Sequence, residues 1–318
     1  MTDTRDSSGP DAMMGAASLP ADIVLDAPEP EAQSRSLTGD AWRELRGKPS
    51  FWFSVTLIAF FVIMAIVPQL FSHVSPRDTF DVRMRPNAAH WFGTDGQGYD
   101  IYSRTIHGAR ASILVGVFAT LLTTVIGGAI GVLSAYLGGW LDALVSRITD
   151  VFFAIPLLLG GILFMSAFPS DQGTPYLVVV FKVVAALTVL GWPSLARLMR
   201  SSVLQVLPND YVQAARALGA SPWRIIMSHI VPNSLAPILV VSTINLGVFI
   251  VSEATLSFLG IGLVPPAVSW GVAIDEGLVF LRSYPHILFF PSLFLSLCVL
   301  AFIMLGDAAR DAFDPKSR

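Results

Sequence analysis

The chain has 318 residues, 53% of them hydrophobic and only 14% charged, with 20 Lys and Arg against 23 Asp and Glu for a formal net charge of −3. Soluble domains carry about 25% charged residues, so this composition excludes an ordinary soluble fold and places the chain in a membrane. Cys298 is the single cysteine, which excludes a disulfide framework and a cysteine-paired metal site; neither a metal nor a nucleic-acid partner is expected.

Residues 1–40 hold eight acidic side chains and two arginines among many Pro, Ser and Ala. Such a segment cannot bury enough apolar surface to offset the entropy of ordering it, so a disordered acidic tail acting as a solvated spacer is expected there. It is not a secretory signal, because no apolar stretch precedes Phe51. Residues 41–71 are expected to form an interfacial helix from Trp42 to Gly47, with basic side chains toward lipid headgroups, and a first span from Phe51 to Phe71. Residues 72–110 read as a segment outside the bilayer. There Gly93, Thr94, Asp95 and Gly98 permit a tight polar turn, and Asp100 and Arg104 have the i, i+4 spacing of a pair that opens a helix.

Residues 111–309 form the expected core, with five further spans: Ala111 to Tyr136, Leu141 to Phe168, Tyr176 to Arg197, Ser234 to Ile261 and His286 to Leu305. Each meets the requirement of about 20 mainly apolar residues per crossing, although Asp150 and Lys182 interrupt the third and fourth of the six. Residues 310–318 are left as a tail, and the fold class is an all-α integral membrane protein with six transmembrane helices.

Positively charged loops stay in the cytoplasm. Arg43, Arg46, Lys48, Arg197, Arg200, Arg216, Arg224, Arg310, Lys316 and Arg318 fall on one side, and Arg77, Arg83, Arg85, Arg104, Arg110 and Arg282 on the other. Ten against six places both termini and the polar segment from Arg200 to Asn233 inside, and makes 72–110 extracytoplasmic.

That polar segment carries two helix signals. Asn209 or Asp210 can cap a helix running through Leu218, on which Ala214, Ala215 and Ala217 form a small-residue surface that another backbone can approach. Gly219 ends it. Ser221 with Pro222 starts a second helix, anchored by Trp223, Ile225, Ile226 and Ile230 until Pro232 breaks the pattern. By itself this describes either a partner-docking hairpin or a pair of interfacial amphipathic helices.

The order Gln213-Ala214-Ala215, Gly219 and Val231-Pro232 resembles the EAA loop of bacterial ABC importer permeases, with Gln213 where that family usually has glutamate, and with His229 and Val231 where isoleucine and leucine are common. The stretch with His90, Gly93, Thr94, Asp95, Gly98, Asp100, Ser103, Arg104, Gly108, Arg110, Ser112, Val115 and Gly116 resembles dipeptide and oligopeptide permeases, with Tyr99 in place of their usual arginine. Val251 to Gly271 and the ending LGDAARDAFDPKSR resemble the same family, so the likeness spans about residues 41–318 in the family's own order.

The resemblance implies the second, C-type membrane subunit of a dipeptide or oligopeptide importer with the type I permease architecture, in the bacterial inner membrane. It implies coupling to an ATPase through Gln213, Ala214, Ala215, Gly219, Ala220, Ser221, Pro222, Trp223, Arg224, Ile225, Ile226, Met227 and Pro232. The implied partners are a homologous permease subunit, two ABC ATPase subunits, an extracytoplasmic substrate-binding protein and membrane lipids. ATP and Mg would then belong to the ATPases, and this chain would hold no cofactor and catalyse nothing. Nickel, glutathione and haem remain alternative cargoes.

Glu253, deep in the fifth span, is the first candidate for a transport pathway, because an ionisable group at that depth faces a bundle interior, a cavity or a partner. The alternative is a carboxyl group hydrogen-bonded to a neighbouring helix. Asp150, three residues after Arg147, is the second candidate, with a packing pair as its alternative. Lys182 is near enough to its span end to snorkel outward, and Pro156 and Pro193 are expected to kink their spans. None of Lys48, Lys182 and Lys316 follows a glycine-rich phosphate loop, and neither a His-Glu-x-x-His nor a Gly-x-Ser-x-Gly signature occurs. An ATP-independent secondary transporter is the rival from another class, but matching halves with interrupted helices are not visible. A membrane enzyme would need a nucleophile and base together, which Asp150, Lys182 and Glu253 do not provide.

Overall fold

A computed structural model describes residues 37–170 and 173–313; most of the acidic tail and the last five residues lie outside the described residues. Helix α1, Leu37–Gly47, begins within the stretch assigned to the tail. Lys48 and Pro49 then start α2, Pro49–Ile66, with the proline at the first turn, where its missing N–H costs nothing. This span ends at Ile66, five residues before the expected Phe71. Pro68 cannot continue the ladder, and a single 3₁₀ turn, Pro68–Leu70, follows.

The expected break between the outer segment and the second span does not exist. Helix α3, Ile101–Leu137, runs unbroken for 37 residues, about 55 Å at 1.5 Å per residue, so one end stands well clear of an apolar layer about 30 Å thick. The third span is a bent pair: α4, Gly139–Phe153, and α5, Leu157–Ala167, meet at 89° around Pro156. The kink predicted at Pro156 is thus a full corner. Pro193 instead lies inside α6, Tyr176–Val206, which continues nine residues beyond the expected Arg197.

After α7, Asp210–Ala217, and the turn at Gly219, the chain enters α8, Pro222–Ile225, a π turn, Ile226–Ile230, and α9, Val231–Phe258. These three form one continuous helix, Pro222–Phe258. Pro232 therefore does not end the second loop helix. The wider π turn just before it lets Val231 N–H reach the Ile226 carbonyl, and the Asn233 side-chain amide donates to the His229 carbonyl at 2.6 Å. Two more helices follow, α10, Trp270–Leu278, and α11, His286–Phe313, the latter running through the first four residues of the tail expected at 310–318. Among the described residues no β-strand forms, only two isolated bridges in the outer segment. Five helices are long and apolar enough to cross a membrane, or six with the bent pair.

The closest helix pairing is between α3 and α6. A β-carbon on Gly127 would sit 2.6 Å from the Trp192 carbonyl oxygen, and one on Gly131 2.5 Å from that of Ala196. Two glycines four apart thus let two backbones touch, the packing device that dispersion favours where lipid offers no hydrophobic gain. Three apolar clusters fill the bundle: one among α3, α5, α6 and α9, one among α2, α3, α9 and α11, and a third beneath the helical loop.

Candidate functional site: the helical loop and its mount

The helices α7 and α8 have eight and four residues, whereas isolated helices under about 12–15 residues are marginal in water. Packing must hold them. Val212, Ile225, Ile226 and Ile230 are buried in one cluster with Val132 and Ala135 of α3 and Met199, Val203 and Val206 of α6. Each such side chain removed from water contributes roughly 1.5–3 kcal/mol, far more than helix propensity can supply over so few residues. The loop is therefore fixed to the ends of the two most tightly packed helices in the bundle.

Local polar contacts refine the mount. Neither Asn209 nor Asp210 caps α7 through its side chain; Asn209 instead donates to the Tyr211 hydroxyl at 3.1 Å. Gln213 Nε2 donates to the Leu207 carbonyl at 2.8 Å, so this amide closes the start of the loop on itself. The Arg216 guanidinium lies over the Tyr136 ring of α3 at 5.5 Å. Gly219 adopts φ +77°, the left-handed turn that ends α7, and Ser221 caps α8 by accepting from Arg224 N–H at 3.4 Å.

The opposite face is bare. Leu218 is 87% exposed, Trp223 68% and Met227 48%, with Ala214, Ser221, Pro222 and Arg224 exposed among them. Of the apolar anchors Trp223, Ile225 and Ile226, Trp223 points outward while Ile225 and Ile226 point inward; Ala215 and Ala220 are half-buried between the two faces, and Pro232 is exposed. A large aromatic, a leucine and a flexible methionine ringed by small and basic residues make an adaptable apolar knob suited to a protein cleft.

At the same end of the bundle, Asp142 of α4 receives two hydrogen bonds from Arg200 of α6, at 2.5 and 2.6 Å, and one from Ser134 of α3 at 2.6 Å. Asp150 is half exposed and pairs with Arg197 of α6 at 2.7 Å as well as with Arg147 at 3.6 Å. It tethers α4 to α6. Glu253 is wholly buried and accepts from the hydroxyls of Ser112 at 2.7 Å and Ser257 at 2.8 Å, with Ser269 also in reach. Its carboxyl group is thus held by hydroxyl groups from α3, from α9 and from the residue before α10.

The outer residues form a second polar cluster remote from the loop. Asp100 caps α3 by accepting from Ser103 N–H at 2.7 Å and bonds His90 at 2.7 Å, leaving no i, i+4 pair with Arg104. Arg104 instead bridges Asp95 at 2.8 Å and Glu276 of α10 at 2.7 Å. Gly93 takes φ +79°, where a β-carbon would strike the Met84 carbonyl, and Thr94 Oγ1 accepts from Met84 N–H at 2.8 Å. These residues fasten the start of α3 to the outer segment and α10. Burial holds the Glu276 carboxyl above its ordinary value, with Arg104 pulling the other way. Lys182 donates to the Pro169 carbonyl and the Ser170 hydroxyl, an anchored amine near its span end.

Residues 127–318 match the family described as binding-protein-dependent transport system inner membrane component. The chain belongs to that family. Residues 36–89 of this permease match the N-terminal TM domain of oligopeptide transport permease C. The dipeptide transport system permease protein DppC of Bacillus subtilis (strain 168) is 39% identical over 288 residues, covering 90% of this permease and 88% of that protein. The glutathione transport system permease protein GsiD of Pectobacterium atrosepticum is 40% identical over 231 residues, covering 73% and 74%. Among solved structures, a chain from the inward-facing conformations of the MetNI methionine ABC transporter superposes with a TM-score of 0.54 at 20% identity, covering 66% of this permease and 96% of that chain. The all-helical fold is thus that of a type I ABC importer permease, a multi-pass membrane subunit of an ATP-driven importer.

Sequence reasoning overlooked Leu218, the Asp142–Arg200–Ser134 clasp, Glu276 as the partner of Arg104, and the Gly127/Gly131 contact. A small-xxx-small spacing marks the glycines, and a lone acid opening an apolar helix marks Asp142. Glu276 carries no local signal, because its partner lies 172 positions away in sequence.

Proposed function

We propose that this permease subunit carries small peptides across the bacterial inner membrane, paired with a homologous permease and driven by two ABC ATPases. An extracytoplasmic binding protein delivers the solute, both termini face the cytosol, ATP and Mg stay with the ATPases, and this chain performs no catalysis itself. Relatives named for dipeptide and oligopeptide transport, at 38–39% identity over about nine-tenths of the chain, support peptides as cargo.

The observation that carries the coupling role is the two-faced loop: Leu218, Trp223 and Met227 outward, Val212, Ile225, Ile226 and Ile230 locked under α3 and α6. An ATPase cleft closing on the outward knob would push a rigid mount. Because Pro222–Phe258 is one helix, displacement at Pro222 travels axially into the fifth span, and because α3 and α6 touch through Gly127 and Gly131, they follow as a body. The bundle then rocks between inward-open and outward-open states, a rigid-body switch of known type. Gln213, Ala214, Ala215, Gly219, Ala220, Ser221 and Arg224 shape this knob, and Pro232 sits where it joins the span.

The test is Trp223→Ala, with Leu218→Ala as a second variant, in proteoliposomes holding the full complex. ATP-driven uptake and retention of the ATPases during purification are both expected to fall tenfold or more, about the loss of a buried aromatic anchor. Retention and uptake at the parent level would remove the docking role.

A further inference from the structure

At the end of the bundle opposite the helical loop, separate stretches of chain converge on a cleft of about 440 Å³. Arg77 comes from the segment after α2, His107 and Arg110 from one face of α3, Tyr176 from the start of α6, and Pro265 and Pro266 from the connection between α9 and α10. Leu114 and Val179 give it apolar walls. Among the described residues no acidic side chain lines it. Arg104, Arg197 and Arg200 each hold a carboxylate at 2.8 Å or closer, whereas among the described residues neither Arg77 nor Arg110 forms an ion pair. In a chain of net charge −3 this is a local positive field, and a concave apolar wall focuses it. His107 Nδ1 lies 2.9 Å from the Ser103 carbonyl. A carbonyl only accepts, so Nδ1 carries the proton and Nε2 remains the nitrogen not engaged there.

The volume matches small-molecule sites of about 300–1,000 Å³. Two unpaired guanidiniums are the side chains best shaped for a carboxylate, which they can bind through paired N–H donors. We propose that this cleft is an anion-binding station that takes the carboxylate of the incoming solute. Arg77 and Arg110 are its specificity-determining residues, and Leu114, Val179 and the Pro265–Pro266 turn support the solute's apolar part. The assignment deepens the importer reading and rests on it for the direction of travel. Lipid phosphate offers the same oxygen chemistry, so the experiment separates the two sources.

The assembled complex is placed in phosphatidylcholine nanodiscs, and binding of trialanine and of trialanine amide is followed by saturation-transfer NMR. Trialanine is expected to bind, and to weaken about tenfold or more in the doubly substituted Arg77→Gln, Arg110→Gln complex, since each lost charge-assisted contact is worth up to about a decade in affinity. The amide is expected to bind weakly and to be indifferent to both changes, and Arg282→Gln, an exposed arginine outside the cleft, to leave trialanine binding intact. Equal binding of acid and amide, or no response to the double substitution, overturns the proposal. Displacement of trialanine by added phosphatidylglycerol would hand the arginines to lipid phosphate and overturn the solute assignment. ATP-driven uptake is read separately: binding retained by a wild-type complex that imports nothing would defeat the importer reading and leave the anion site standing.

Discussion

Glu253 of α9 accepts a 2.7 Å hydrogen bond from Ser112 of α3, 141 residues away, at a point where neither residue meets solvent. With Ser257 and Ser269 on the same carboxyl group, the contact joins α3, α9 and the start of α10 at the centre of the bundle. The contact makes opposite forecasts for two substitutions. Glu253→Gln keeps an oxygen and two N–H groups for the serines, and is expected to leave thermal stability and uptake near the parent level. Glu253→Ala strands the serine hydroxyls and opens a cavity, for about 2–4 kcal/mol of destabilisation in thermal unfolding of the purified complex. A Gln variant of normal stability that cannot transport would return Glu253 to the pathway.

The glycines at 127, 128 and 131 contain their own control. A methyl group at Gly131 meets the Ala196 carbonyl oxygen at 2.5 Å, whereas at Gly128 it meets nothing within 4 Å. Gly131→Ala is therefore expected to force α3 and α6 apart at a cost of about 1–3 kcal/mol, and Gly128→Ala to be silent. Melting temperatures of the two variants in detergent decide the matter, and equal values would mean that the pair does not pack this closely.

Gln213 predicts an asymmetry between amide and carboxylate. Its Nε2 donates to the Leu207 carbonyl, a bond no ionised glutamate can make because both groups would be acceptors. Gln213→Glu is expected to cost about 0.5–1.5 kcal/mol locally, seen as faster amide hydrogen exchange across residues 207–217. Unaltered exchange would show that the loop is held by its apolar face alone.

Glu276 gives a pH dependence. Burial raises its carboxyl above the usual carboxylate range, the Arg104 pair only partly opposing this. The folded state therefore binds this proton more tightly than the unfolded state, so the group's favourable share of stability is complete below the ordinary value and declines as pH rises through the elevated one. Glu276→Gln mimics the protonated form. Its melting temperature relative to the parent is expected to become more favourable from pH 4 to pH 7, and the reverse slope would mean that the Arg104 pair outweighs burial.

The membrane class, the apolar stretches and the helix–turn–helix between the fourth and fifth spans were legible in the sequence, because each rests on runs of residues close along the chain. Twenty apolar residues in succession need a bilayer whatever surrounds them, and Gly219 needs its left-handed turn locally. Boundaries were less legible. The hydropathy of α3 hides its polar first turns, Pro156 makes a corner where a kink was expected, and Pro232 is accommodated by a preceding π turn that no periodicity announces.

Which side of each element meets which neighbour was decided only by the tertiary structure. Trp223 and Ile225 are equally apolar by composition, yet one faces outward and the other is sealed under Val203, because the ends of α3 and α6 offer room for one face of a four-residue helix and not for both. Asp100, Arg104, Asp95 and Glu276 likewise chose partners across space rather than along a helix, since a buried charge is stable only beside the opposite charge or donors that the fold brings to it. Local chemistry thus determined what the chain is made of and where it lives, and long-range packing determined what each side chain touches.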